Sequence, residues 1–235
     1  PPVNPEVRGN ALRETGWTGA GGLAEDVRYY GNLIRERAIA KIGHLYPKVK
    51  LPEEYGGREA NVIAWIWART VASPNPAVQG VHVPLISTYW LSSKKGQLAW
   101  LKPVVDKNAG SWRFAVQTGE PANRKLVSSG TKAGKGSKFT CLLTGAPIKG
   151  DYIQEQGKTG RIGYRLIAVV ADLGRGRTYL PANDHQTEII EQATPGWYPE
   201  ERLSTHPQYM GAPRYGMARF GDLFTPRQLT TMVTL

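Results

Sequence analysis

Glycine and proline set the first limit on what this chain can fold into. There are 27 glycines and 17 prolines among 235 residues, well above the usual share. They cut the sequence into short pieces, which predicts many turns and argues against a long helical bundle. Hydrophobic residues make up 40% and charged residues 21%, a globular composition slightly lean in core formers. The length suits one large domain or two small ones. No stretch approaches the roughly 18 uninterrupted apolar residues of a transmembrane helix, so no membrane partner is expected. No apolar run follows Pro1-Pro2-Val3-Asn4-Pro5, and no secretory signal is expected there. The chain opens without Met and closes in the apolar-flecked Thr230-Thr231-Met232-Val233-Thr234-Leu235, which reads as part of a longer protein. Cys141 is the one cysteine. It excludes an internal disulfide framework and a multi-cysteine metal site, and it favours a cytoplasmic setting.

The charge is unevenly placed. Lys and Arg number 30 against 19 Asp and Glu, a net of +11. Residues 1–60 carry nine basic and eight acidic groups, and residues 61–123 carry six and two. Residues 124–177 carry eleven and three, whereas residues 178–235 carry four and six. One stretch thus supplies most of the positive field. Such asymmetry favours a polyanionic partner, nucleic acid being the usual one. The plainer reading is a solvated basic surface.

Hydrophobic spacing predicts the elements. Residues 1–21 read as an extended or loop lead-in, rich in Pro and Gly. Leu23, Val27, Tyr30, Ile34, Ala38 and Ile42 hold one face of a helix over 22–43. Gly31 marks a break or close contact within it, and Gly43 a stop. Residues 59–72 fit a helix or a buried strand. Trp65 and Trp67 favour the strand, because i and i+2 share a strand face. Further strands are expected over Val81 to Trp90, Trp100 to Val105 and Trp112 to Thr118, with Ser92 to Gly96 as a hairpin-like loop. Residues 119–138 are poor in core formers, and Ser128 to Lys138 reads as a mobile loop. A short strand at Phe139 to Leu143 and a short helix at 150–156 follow. Tyr164 to Ala171 and Gly176 to Pro181 read as strands. Asn183 or Asp184 is expected to cap a helix over 184–193 with Ile189 and Ile190 inward. Residues 195–216 look irregular. Thr225, Pro226 and Gln228 have the spacing of a capping box that starts a last helix.

The residue chemistry points to binding more than to catalysis. There is no serine elbow, paired-histidine zinc motif, phosphate loop ending in Gly-Lys-Ser/Thr or complete dinucleotide fingerprint. His44, His82, His185 and His206 are scattered and read as surface or hydrogen-bonded groups. Cys141, between Phe139 and Leu142-Leu143, reads as a small buried hydrophobe. Gly157-Lys158-Thr159-Gly160-Arg161-Ile162-Gly163 could offer backbone N–H groups and two cations to a phosphate, or could be an ordinary turn. Lys132, Lys135, Lys138, Lys158, Arg161, Arg165, Arg175 and Arg177 are the candidates to neutralise phosphates of double-stranded DNA. Trp90, Trp100, Trp112 and Tyr164 could stack on unpaired bases, though sheet core is the commoner fate of such aromatics. No catalytic, cofactor-binding or metal-ligating residue is assigned.

Several segments together carry a resemblance. They are Gly22-Leu23-Ala24-Glu25-Asp26-Val27-Arg28-Tyr29-Tyr30-Gly31, Ile42-Gly43-His44-Leu45-Tyr46-Pro47, Val62-Ile63-Ala64-Trp65-Ile66-Trp67-Ala68-Arg69-Thr70-Val71, Lys102-Pro103-Val104-Val105-Asp106, and Gly221-Asp222-Leu223-Phe224-Thr225-Pro226-Arg227-Gln228-Leu229. In this order the chain resembles the middle region of the adenine-specific DNA methylases that contain a zinc-ribbon-like element, a family of restriction-modification and anti-phage loci. The resemblance implies S-adenosylmethionine and methylation of adenine N6 for a parent protein. The family's cofactor segment, of the form Asp-Pro-Phe-x-Gly-Gly-Gly, and its catalytic Asp-Pro-Pro-Tyr are expected before and after this chain. Neither is within it, so no methylation is expected of the chain alone, since a flipped base needs such a pocket. The family's knuckles resemble Cys-Pro-Asn-Pro-x-Cys-Gly and Cys-x-x-Cys-Gly. Here they read Ser73-Pro74-Asn75-Pro76-Ala77-Val78-Gln79-Gly80 and Cys141-Leu142-Leu143-Thr144-Gly145. One ligand of four remains, so the resemblance implies degenerate knuckles without metal, with Val78 and Leu142 near apolar packing in its place.

The expected fold class is therefore α+β, a mainly antiparallel sheet module flanked by helices. Residues 1–60 and 182–235 are expected to belong to a split methyltransferase domain, and 61–181 to be an inserted, basic, β-rich module. The leading functional expectation is a DNA-contacting or target-recognition region that works with other parts or subunits of the methylase. The alternative is an interaction module that docks an acidic protein. An enzyme with chemistry of its own comes last.

Overall fold

A computed structural model describes residues 2–10, 19–206, 208 and 210–235. The fold is α+β, and every strand pair is antiparallel. Helices α1 (Pro5–Asn10) and α2 (Gly21–Ile42) come first, followed by a small hairpin of β1 (Val49–Lys50) and β2 (Glu59–Ala60). The strands β3 (Val62–Ala72), β4 (His82–Leu85), β5 (Trp90–Ser92), β6 (Ala99–Asp106) and β7 (Ser111–Thr118) follow. Then come α3 (Arg124–Ser129), β8 (Phe139–Thr140), β9 (Pro147–Ile148) and α4 (Gly150–Lys158). The chain continues through β10 (Gly163–Gly174), β11 (Gly176–Pro181), α5 (Asp184–Glu191) and α6 (Pro226–Met232).

The central sheet has the order β11-β10-β3-β4, and a second sheet has the order β5-β6-β7. Strand β10 explains the first. Its run Leu166-Ile167-Ala168-Val169-Val170-Ala171 has no polar residue, and all six are buried. A strand apolar at every position can only be covered on both faces. Irregularities at Leu166/Ala168 and Val170/Ala171 in its pairing with β3 bend the sheet. Ile167 and Ala168 share one core with Ala68, Val71, Val83, Leu101, Trp112 and Phe114, which joins the two sheets. Leu166 and Val169 pack with Ile190 of α5, and Trp65 and Trp67 lie against that cluster. Val49, Leu51 and Ala60 pack with Ala171 and Leu180, so the β1–β2 hairpin shares a core with the central sheet across position 60.

Single polar side chains fasten the layers. Gln186 of α5 is 1% exposed. Its Oε1 accepts from the Trp65 indole at 2.7 Å, and its Nε2 donates to the Lys48 carbonyl at 3.1 Å. Asn183 caps α5 through the Gln186 N–H. Thr225 and Gln228 form the reciprocal capping box of α6, with Pro226 at its first position. Gly157 in α4 is needed for space, because a Cβ there would sit 2.3 Å from the Tyr215 carbonyl oxygen.

Several expectations are corrected. Residues 5–10 of the expected lead-in are helical; residues 11–18 of it, and 207 and 209 of the irregular stretch, lie outside the described residues. Val81 to Trp90 is not one strand: β4 ends at Leu85, and β5 belongs to the other sheet. Residues 124–129, in the stretch poor in core formers, form α3, which Asn123 caps through the Leu126 N–H, so the expected loop loses Ser128 and Ser129 to a helix. Gly31 neither breaks α2 nor touches a neighbour. Gly43 does end α2, as its C-cap, though with φ −58° and a 3-10 turn after it. The largest correction concerns the α2 face. Leu23, Val27, Tyr30 and Ile34 are exposed, and Ile42 is the buried member of the stripe. The periodicity formed the helix, but no described element lies over that face.

Candidate nucleic-acid interface

The eight candidate cations fall in three places. Lys132, Lys135 and Lys138 lie on the segment that runs past α3 into the β8–β9 hairpin. Lys132 pairs with Phe139 in an isolated antiparallel bridge, and the Ala133 N–H donates to the Lys138 carbonyl at 2.9 Å. The expected mobile loop is thus tied at both ends. Beside it opens a cleft of about 550 Å³ lined by Lys135, Lys138, Phe139, Lys149, Gly150 and Asp151, among others. Lys149 belongs with this group, although sequence reading left it out. It stands alone in its local run, and only the fold brings it beside Lys135 and Lys138.

Lys158 and Arg161 sit at the far end of α4. Arg161 Nε donates to Gln156 Oε1 at 3.1 Å, so this glycine-rich run is an ordered helix exit. Arg165 lies near the start of β10, its guanidinium 4.4 Å from the Trp112 ring centroid. Arg175 and Arg177 lie beyond and across the hairpin at the other end. Ten residues of extended chain span roughly 33 Å, so Arg165 and Arg175 cannot serve one phosphate cluster. Arg177 stacks on Tyr179 at 5.7 Å, and both arginines line a cleft of about 430 Å³ with Gly96, Gln97 and Gly119.

None of the eight forms an ion pair with a described residue. The salt bridges among the described residues are Arg28–Glu25, Arg124–Glu120 and Arg219–Glu200. Of the eleven cations in residues 124–177, Arg124 is the one with a carboxylate partner. The field of this stretch is therefore not neutralised locally.

The aromatic candidates divide. Trp112 is core, 4% exposed, with its indole N–H on the His82 carbonyl at 2.7 Å. Trp90 donates to Ser128 and lies under Arg124. The Trp100 indole nitrogen is buried without a partner. Tyr164 is 47% exposed and stacks edge-on against Trp67, which leaves it the one open to a base. His82 bonds Thr70 at 3.0 Å.

The turns over residues 73–80 and 141–145 meet. Ser73 Oγ lies 3.4 Å from Cys141 Sγ, across 68 positions of sequence. The Asn75 N–H donates back to Ser73 Oγ at 3.3 Å, and the Ala146 N–H to Thr144 Oγ1 at 3.2 Å. Gly80 and Gly145 close the turns at φ +81° and +75°. Val78 and Leu142 pack against the main core. Burial raises the pKa of Cys141, and hydrogen bonds with Ser73 and Thr144 outweigh it, so the net shift is downward. One thiol, two hydroxyls and an isopropyl group do not make a zinc donor set. No group of three or more His, Cys, Asp or Glu among the described residues is placed to hold a metal.

Among the described residues no helix is long and apolar enough to cross a membrane. Comparison with protein-family models, curated proteins and solved structures finds no match to this chain.

Proposed function

We propose that this chain is a DNA-contacting region of an S-adenosylmethionine-dependent adenine-N6 DNA methyltransferase whose cofactor and catalytic segments lie outside it. The observation that carries the DNA contact is the basic stretch 124–177, where ten of eleven cations have no carboxylate partner among the described residues. Unpaired surface cations release condensed counterions when they meet a duplex, which is a large part of duplex affinity. Lys132, Lys135, Lys138 and Lys149 form the nearest thing to a continuous phosphate track; Arg165, Arg175 and Arg177 are a separate contact or none.

The methylase assignment rests on the sequence resemblance, and the meeting of Ser73 with Cys141 supports it. Two turns of knuckle spacing that face one another are what a zinc ribbon leaves behind when its ligands are lost. In this reading a hydroxyl–thiol bond and apolar packing of Val78 replace the metal. The combined variant Ser73→Cys, Val78→Cys and Thr144→Cys should then take up one zinc, or cobalt with a tetrahedral thiolate spectrum. Stoichiometric zinc in the unaltered protein would contradict the reading.

The function itself is tested by fluorescence anisotropy of a labelled duplex. Binding near 50 mM salt that weakens at least tenfold on changing Lys132, Lys135 and Lys138 to Ala is the expected result. Equal binding by that variant would remove the lysine track. One observation favours the second reading, a protein-docking module: the exposed stripe Leu23, Val27, Tyr30 and Ile34 on α2. A protein complex that persists at high salt and is lost on changing that stripe would favour it.

A further inference from the structure

Strands β7 and β11 are each the last strand of their sheet, and no ladder joins them. Two clefts lie between these edges, of about 430 Å³ and about 250 Å³, and Thr118 of β7 and Thr178 and Tyr179 of β11 line both. Among the described residues β11 makes its backbone hydrogen bonds with β10 alone. Every second residue of such an edge turns its N–H and C=O away from its own sheet, where another chain can pair with them.

Thr178 sets this gap apart from an ordinary pair of sheet edges. It is 6% exposed. Its hydroxyl has no hydrogen-bond partner among the described residues, yet it is not one of the polar atoms sealed from solvent. It therefore opens into the clefts that it lines. The other buried hydroxyls, those of Thr70, Ser73, Thr131 and Thr230, are all bonded. Valine has nearly the shape of threonine and would bury no hydroxyl without a partner, so the fold alone gives no reason for Thr178.

The chemistry of the gap selects the ligand. A strand edge alternates donors with acceptors. Another polypeptide answers both, whereas the oxygens of a phosphate backbone answer the donors alone. Arg175 and Arg177 line the larger cleft, which has no carboxylate in its wall. Arg177 lies over the Tyr179 ring, which takes one face of the guanidinium and leaves its edge donors free.

We infer that the gap between β7 and β11 binds an acidic, extended peptide. The peptide adds to β11 as a strand, bonds the Thr178 hydroxyl and sets its carboxylates on Arg175 and Arg177. Main-chain bonds supply the affinity, and the arginines the preference for acidic side chains. Pro181 has no N–H to offer, so the pairing runs over Gly176 to Leu180, about five residues or roughly 16 Å. The site lies apart from the lysine track and is independent of the DNA-binding reading.

The test is fluorescence anisotropy of fluorescein-Gly-Val-Glu-Val-Glu-Val-Glu-amide with the full chain. Saturable binding is expected, with Kd on the order of 10–100 μM for a short added strand. The same peptide with Lys in place of Glu should not bind. Two further peptides are N-methylated, one at its valines and one at its glutamates. One should bind at least tenfold more weakly and the other less so, because an added strand bonds through every second residue. Arg175→Gln with Arg177→Gln should weaken binding at least tenfold. Thr178→Val should weaken it about fivefold, with the unfolding midpoint unchanged or raised, since its hydroxyl has no partner in the free protein. Changing Lys132, Lys135 and Lys138 to Ala should leave peptide binding as it is. No saturable binding overturns the site, as does equal binding of both methylated peptides and the parent. Displacement of the peptide by a single-stranded oligonucleotide at lower concentration than by unlabelled peptide would assign the gap to nucleic acid, and also overturns it. If the arginine variant does not fold, Thr178→Val and the methylated peptides decide.

Discussion

Strand β10 and helix α2 are both long apolar-patterned elements, yet they end in opposite environments. Six successive residues of β10, Leu166 to Ala171, are buried. In α2, 22 residues long, Leu23 is 65% exposed and Val27 64%. Periodicity decides which element forms. Burial depends on what else the chain places nearby. β10 has β3 on one edge, β11 on the other, and Ile190 and Trp112 in the clusters on its faces. The N-terminal part of α2 is tied by a polar contact, Asp26 accepting from the Val3 and Asn4 N–H groups, and not by its apolar stripe.

The sharpest way to break this contrast is a pair of truncations read by chemical denaturation. Leu166→Ala should cost about 2–5 kcal/mol, as a buried leucine does when it leaves a cavity. Leu23→Ala should stay within about 0.5 kcal/mol, as exposed sites do. Comparable losses would mean that α2 is covered after all. The second effect is alkaline. Burial pushes Tyr89 up to about 12 from 10.0. A raised pKa means the unfolded chain loses its proton first, so the contribution is intact below pH 10 and is lost as pH rises toward 12. The loss should approach about 2–3 kcal/mol, and Tyr89→Phe should remove that part of the slope in denaturation midpoints. A smaller change is expected at the contact between Ser73 and Cys141. Ser73→Ala removes the bonds to Cys141 and to the Asn75 N–H and should cost about 1 kcal/mol. Cys141 is 2% exposed, so a thiol reagent reaches it through local opening, and its labelling should become faster when the Ser73 bonds that hold this junction closed are gone. Unchanged labelling would mean that those bonds do not hold the junction.

Much of the fold was legible where local rules agree. The apolar run of β10, the capping box at Thr225, the cap at Asn183, and the two tryptophans on one face of β3 each carry their own signal. α1 and α3 were missed because neither buries a continuous face; α3 is six residues with Val127 as its buried member. The division of Val81 to Trp90 between two sheets was hidden because Pro84, Ile86 and Tyr89 are all buried, and burial does not say in which sheet. It is fixed by long-range bonds, such as the Tyr89 N–H to the Val127 carbonyl at 2.7 Å.

The candidate site was legible in part. Charge counting located the basic stretch, but it grouped Arg165 with Arg175, which the strand holds far apart, and omitted Lys149. Nothing local marks Thr178. Thr118, which lines the same two clefts, is 60 positions away in sequence, and only the fold brings the two edges together.

The central claim is that the lysine track contacts DNA phosphates, and the salt dependence of duplex binding tests it most directly. The slope of log affinity against log salt should fall in magnitude by about 2.7 when Lys132, Lys135 and Lys138 are all changed to Ala, at roughly 0.9 per phosphate contact. Equal slopes for the two proteins, both shown to be folded, would contradict the claim and leave the track as a solvated surface.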